Sequence, residues 1–151
     1  LSEDRVFIEA MGEFKASFRA LDSAVLTDEA RANVRRYYEQ EFVPRIVSEE
    51  NGKKKEFVLD LFLPQTHPAM YLQNQYIAKN PNPVGKKILL RDAQDSSAYS
   101  RVHAKFHPMF KEFVEKFNYY DVFLIDAETS EIVYTAYKET DFTTNLRKGP
   151  N

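Results

Sequence analysis

Residues 119–139 read YYDVFLIDAETSEIVYTAYKE, and this stretch decides the fold class. Tyr119, Asp121, Phe123 and Ile125 alternate with Tyr120, Val122 and Leu124, a period of two. Residues 127–130 form a short polar connection, and residues 132–139 return as a second run. Both runs are rich in β-branched and aromatic side chains, which suit a pleated, half-buried surface. Two such runs across a short polar link predict an antiparallel hairpin.

Upstream the period changes to that of a helix. Phe7, Met11, Phe14, Phe18 and Leu21 are spaced 4, 3, 4 and 3, one apolar stripe from the start of the chain. The stripe reads as a core-facing helix in preference to a coiled-coil seam. Thr27 is an N-cap for a second helix, with Asp28 and Glu29 in its first turn and Val34, Tyr38 and Phe42 on one face. Pro44 ends or kinks it. Residues 48–56 read as an exposed loop, and residues 57–63 as a short strand or buried segment ending at Pro64. Thr66 and Pro68 open another helix, carrying Met70, Tyr71, Gln73, Asn74 and Ile77, which stops before Asn80-Pro81-Asn82-Pro83. Residues 95–97 cap a further helix with Tyr99, Val102, Phe106, Phe110, Phe113 and Phe117 on its buried face. Pro108 predicts a kink or a break after His107. The expected class is therefore α+β, with long N-terminal helices packed on a small antiparallel sheet. Residues 1–47 form the helical part and residues 57–146 the sheet-containing part of one domain spanning 1–151.

Composition narrows the function. The 21 Lys and Arg against 23 Asp and Glu leave no basic excess for nucleic acid and no polybasic block for a membrane surface. With no Cys, a disulfide, a thiolate zinc site and a Cys nucleophile are all excluded. No apolar run approaches the roughly 18 residues of a membrane span. Without an initiator Met, and ending at Gly149-Pro150-Asn151, the chain is expected to be a piece of a longer protein. Asn80 to Gly85 is no phosphate-binding loop, and Ser96 and Ser97 lack the frame of a nucleophile elbow.

Several blocks carry a family resemblance. Residues 117–126, Ile132-Val133-Tyr134, Lys138-Glu139 and Asp141-Phe142 resemble the extracytoplasmic sensor regions of bacterial chemoreceptors, membrane cyclases and sensor kinases. So do residues 80–86, Tyr71-Leu72-Gln73, Tyr99-Ser100, residues 103–108, residues 11–15 and Tyr37-Tyr38-Glu39. The resemblance covers nearly the whole chain in order. It implies a Cache or PAS-like fold and a periplasmic domain of an inner-membrane receptor, most often a methyl-accepting chemotaxis protein. It further implies a small-molecule ligand (an organic acid or amino acid), a homodimer in the full receptor, no cofactor and no catalysis. Two departures stand out: Asn118 and Ser130 occupy positions where the family has Gly, and the family's sensor sequence runs on past Gly149-Pro150.

The candidate ligand-binding residues are Tyr99, His103, Tyr119, Asp121, Tyr134 and Lys138. Tyrosines supply apolar walls with hydroxyl tips, as a small-molecule pocket requires. Asp121, expected mid-strand among aromatics, needs a partner: either a nearby Lys or Tyr, or the amine of a ligand. Lys138 pairs within the strand network or holds a ligand carboxylate. His103 and His107, four apart on one helix face, have acceptable metal-ligand spacing but lack the further ligands of a zinc site. His67 reads as a loop histidine. Two other functions compete with sensing: a dimerisation spacer with no ligand, seamed by the Phe7 to Leu21 stripe, and a metal-dependent hydrolase using His103 and His107.

Overall fold

In the computed structural model, which describes residues 3–47 and 52–149, one strand of the hairpin is buried in the core and the other lies toward its surface. Strand β1 (Phe123–Ile125) pairs antiparallel with β2 (Ile132–Thr135). A bulge falls between Leu124 and Ile125: Leu124 faces Tyr134 and Ile125 faces Ile132, which leaves Val133 without a partner on β1. The Val133 carbonyl instead accepts the Tyr99 hydroxyl at 2.6 Å. On the other side of β2, Ile132 exchanges backbone hydrogen bonds with Thr143 and Thr144 of the chain's tail. The strand is thus flanked on both edges, and all four of its residues are buried.

Both strands are shorter than the alternating pattern predicts. Residues 119–122 and 136–139 lie outside the ladder, so Asp121 precedes β1 instead of lying mid-strand. Alternation marks a strand with one wet face, and β2 has none.

Five α-helices accompany this hairpin among the described residues. Helix α1 (Glu3–Ala20) packs lengthwise on α5 (Ala98–Phe117). Its stripe turns inward: Phe14, Phe18 and Leu21 are buried, and the Phe14 ring lies 4.7 Å from Tyr134 and 5.4 Å from Tyr99. A seam between two copies is therefore not what this stripe forms. Helix α2 (Asp28–Tyr37) begins at Thr27, whose side chain accepts from Ala30 N, and runs into a π-helical turn over Tyr38–Phe42. A 3-10 turn containing Pro44 follows. Helix α4 (His67–Gln73) starts at its Thr66 cap with Pro68 in the first turn. His67 is therefore the first residue of a helix and not part of a loop.

Helix α3 (Gly52–Phe62) corrects the reading of that region. Residues 52–56, expected as loop, are helical, while residues 48–51 lie outside the described residues. Residues 57–63, expected as a strand or buried segment, are helical through Phe62. Val58, Leu59 and Phe62 share one helical face and pack with Val34, Tyr38, Val43, Val47 and Met70 in a second apolar cluster, while Phe57 points outward. A short apolar run does not distinguish strand from helix; the spacing of its buried members does.

Pro108 does not break α5. Lacking an N–H, it cannot bond the carbonyl four residues earlier, that of Ala104. The Arg91 side chain supplies the missing donor, with Nε 3.0 Å from that carbonyl. Ser97 caps the helix, and its buried face carries Ser100, His103, His107 and Val114 beside the expected aromatics. Phe117, expected on that face, is half exposed. Asn118 ends the helix in the left-handed region at φ 53°, and Ser130 closes the hairpin turn at φ 64°. These are backbone conformations that glycine adopts most readily.

Two substitutions test this packing by urea denaturation. Phe14→Ala is expected to cost about 3–5 kcal/mol, the penalty for emptying a packed aromatic site. Tyr99→Phe should cost about 1–3 kcal/mol, because it strips the donor from a buried carbonyl.

Candidate functional site

The residues that follow β2 depart sharply from an ordinary core. Lys138 is 1% exposed and stands at φ 58°, a left-handed backbone that costs an L-residue energy. Its backbone N–H donates to Thr135 Oγ1, and its Nζ donates to the Thr135 carbonyl. No second acceptor for Nζ occurs among the described residues, although an ammonium carries three donors. Nζ instead faces three rings: Tyr134 at 4.2 Å from the centroid, Phe142 at 5.3 Å and Tyr76 at 5.7 Å. Burial pushes Lys138 down to about 7, against the pull of the Asp121 charge. The ring faces act in the same sense as Asp121, since their π clouds favour a cation.

Around this box the polar groups are only partly satisfied. His103 and His107 stack with ring centroids 4.3 Å apart. His107 is fully engaged: Nε2 lies 2.7 Å from the Ile88 carbonyl and so donates, and Nδ1 accepts the Tyr134 hydroxyl at 2.7 Å. His103 Nδ1 donates to the Arg91 carbonyl, leaving Nε2 as a buried lone pair with no partner among the described residues. Both imidazoles are held neutral, chiefly by burial and then by the Lys138 charge; His107 is pushed down to about 3 and His103 well below its ordinary value. Asp141 Oδ1 also lacks a partner. Burial raises Asp141 to about 6, and the charges of Asp121 and Glu139 add to the shift.

Asp121 is structurally committed. Its Oδ1 accepts the backbone N–H groups of Val122, Ala136 and Tyr137 at 2.6, 2.9 and 3.2 Å, clamping the two hairpin arms together where the ladder ends. Burial still outweighs these bonds and raises its pKa.

An open cleft of about 310 Å³ lies over Lys138. The end of α2 and the turns that continue it supply Tyr37, Glu41, Phe42 and Arg45; the two arms of the hairpin supply Tyr120, Glu139 and Thr140; Val84, Gly85 and Lys87 complete the lining. Lys87 gives all three donors to backbone carbonyls, those of Ile77, Asn80 and Asn82, so its role is to hold the loop. Arg45 is more than half exposed, with a long 3.7 Å contact to Glu41, and Tyr120 donates to Glu139 at 3.0 Å. The walls thus present both signs of charge.

Of the six candidate residues, five converge. Tyr99, His103 and Tyr134 form one continuous ring cluster, Lys138 lies over Tyr134, and Asp121 acts on Lys138 through its charge. Tyr119 lies apart, half exposed against Phe113 and Phe117 at the end of α5. The sequence reading missed Tyr76, Phe142 and Asp141 as parts of the box, and Arg45 and Tyr37 as cleft walls. Tyr76 follows the same one-sided pattern as Leu72, a signal that was present but not exclusive to a site. No group of three His, Cys, Asp or Glu positioned for a metal occurs among the described residues, and His107 has no free nitrogen to offer.

The buried amine has a measurable signature. The ordinary lysine value is 10.5 and the folded value about 7, so the unfolded chain binds this proton more tightly. The cost of burying Lys138 is therefore full below pH 7 and fades as pH rises toward 10. Lys138→Met is expected to raise stability by about 1–3 kcal/mol at pH 6. The gain should shrink steadily to pH 10 in urea titrations; a pH-independent gain would contradict the assignment. Comparisons with family models, with curated proteins and with solved structures return no match for this chain.

Proposed function

We propose that this domain is a non-catalytic ligand-sensing module of the Cache or PAS-like kind, belonging to an extracytoplasmic region of a bacterial membrane receptor, with chemotaxis the foremost output. The observation that carries the reading is the cleft over Lys138. It brings the turns that continue α2 and the hairpin tail into one opening whose lining includes the buried Lys138, an ammonium with a single acceptor among the described residues. Folded cores ordinarily satisfy their buried polar groups, and an under-bonded ammonium that borders a cleft supports a ligand there. A ligand touching both walls favours one packing of helix against hairpin, and sensing requires such a difference in affinity between two states.

The mixed charge of the walls favours a small zwitterion or acid. Arg45, exposed and held only by its long contact to Glu41, can meet a carboxylate, and Glu139, which accepts from Tyr120, is an anion of the same lining. No helix among the described residues is long and apolar enough to cross a membrane.

A thermal-shift panel of amino acids and small organic acids tests the reading. A true ligand at a hundred times its Kd stabilises the native state by about 2.7 kcal/mol. Arg45→Ala and Glu139→Gln, both at solvent-facing positions, should leave the fold intact and weaken binding at least tenfold. Absence of any stabilising compound, or an identical response in both variants, would overturn the proposal.

A further inference from the structure

The Tyr76, Tyr134 and Phe142 rings enclose a cation, and that cation comes from the chain itself. We infer that this aromatic box is an alkylammonium-binding site, self-occupied by Lys138, and that a ligand amine enters by displacing the lysine into the cleft above. The inference rests on the sensing role proposed for that cleft and names the ligand group it recognises and the contact that changes.

The geometry favours exchange over a permanent lock. A structural buried lysine spends its donors, as Lys87 does on three carbonyls. Lys138 spends one, on a carbonyl three residues away, and that bond ties it to its own loop and to no other element. Its remaining hold is the ring faces, which attract any desolvated ammonium and read charge without demanding a particular hydrogen-bond pattern. The route already exists, because Lys138 lines the cleft as well as filling the box. Once displaced, its ammonium meets Glu139 on the cleft wall. The other arms of the box are fixed: Tyr134 by His107, and Tyr76 by its 2.7 Å hydroxyl contact with Ser100. The cage therefore persists when its occupant changes.

The test uses n-propylammonium chloride, which matches the atoms removed by Lys138→Ala, with n-propanol as its uncharged isostere and sodium chloride as the salt control. Binding is followed by tyrosine fluorescence and by melting temperature. The folded Lys138→Ala variant is expected to bind n-propylammonium at least tenfold tighter than wild type and to gain melting temperature, with n-propanol giving neither effect. An equal response to n-propanol, or no tighter binding of the amine, overturns the inference. Lys138→Met keeps the box filled with a neutral chain and serves where the alanine variant does not fold. Because methionine is better buried there than lysine, it should bind the amine at least tenfold more weakly than wild type, and parity or tighter binding overturns the inference. A compound from the ligand panel that carries an amine and binds Lys138→Met as tightly as wild type overturns the exchange while leaving the sensing role standing. A panel with no ligand overturns the sensing role, and the n-propylammonium arm still judges the box.

Discussion

The hydrogen bond from the Tyr134 hydroxyl to His107 Nδ1 is the point on which the rest of the fold turns. It joins the fully buried strand β2 to helix α5 through two polar atoms that would each be costly to bury alone. Tyr134 also packs on Phe14 of α1 and on Phe110 of α5, with centroids 4.7 and 4.9 Å away, so one side chain aligns both long helices with the hairpin. The same ring then forms a wall of the lysine box. Fold and candidate site share this residue, and the box is rigid because the core is.

Neutral imidazoles are what this arrangement requires. Two protonated rings stacked at 4.3 Å beside a lysine would repel one another, and burial removes the water that could screen them. Beside the rings, the groups whose charge burial disfavours are Lys138, Asp121 and Asp141. Burial of Lys138 is costly below about pH 7, and burial of charged Asp141 is costly above about pH 6. Between those values both costs act together, since neither group has relaxed to its neutral form. The domain thus holds its least comfortable charges in one small region, and a partner supplied from outside would relieve them there.

Much of this was legible in the sequence, for identifiable reasons. Thr27, Thr66 and Ser97 mark helix starts because a side-chain oxygen followed by helical spacing answers orphan N–H groups, and all three do so. The hairpin was visible in residues 119–139, though its ladder is shorter, because residues beyond Thr135 turn away to place Lys138. Other features depended on distant partners. Pro108 looked like a break because the rescue of Ala104 comes from Arg91, on a different segment. Helix α3 was hidden because its apolar run is short and includes the outward-facing Phe57. The box was half legible: Lys138 and Tyr134 belong to the hairpin, but Tyr76 and Phe142 reach them only through the fold.

The two ends of the hairpin are tied to different helices, and this gives the candidate site its leverage. At the turn, Asp126 and Glu128 meet Lys15 and Arg19 of α1, with Asp126 buried, so that end is pinned. At the tail, Gln73 of α4 donates to the Phe142 carbonyl at 2.9 Å and accepts the Tyr38 hydroxyl at 2.8 Å. Tyr38 belongs to the π-helical turn that continues α2 toward the cleft. A movement of residues 138–143 therefore pulls on Gln73, and through it on the helical wall opposite, while the turn stays fixed to α1. Lever and anchor lie on one hairpin about ten residues apart, a strand's reach of roughly 3.3 Å per residue. The lysine that seemed to be one candidate among six is the residue from which that lever begins.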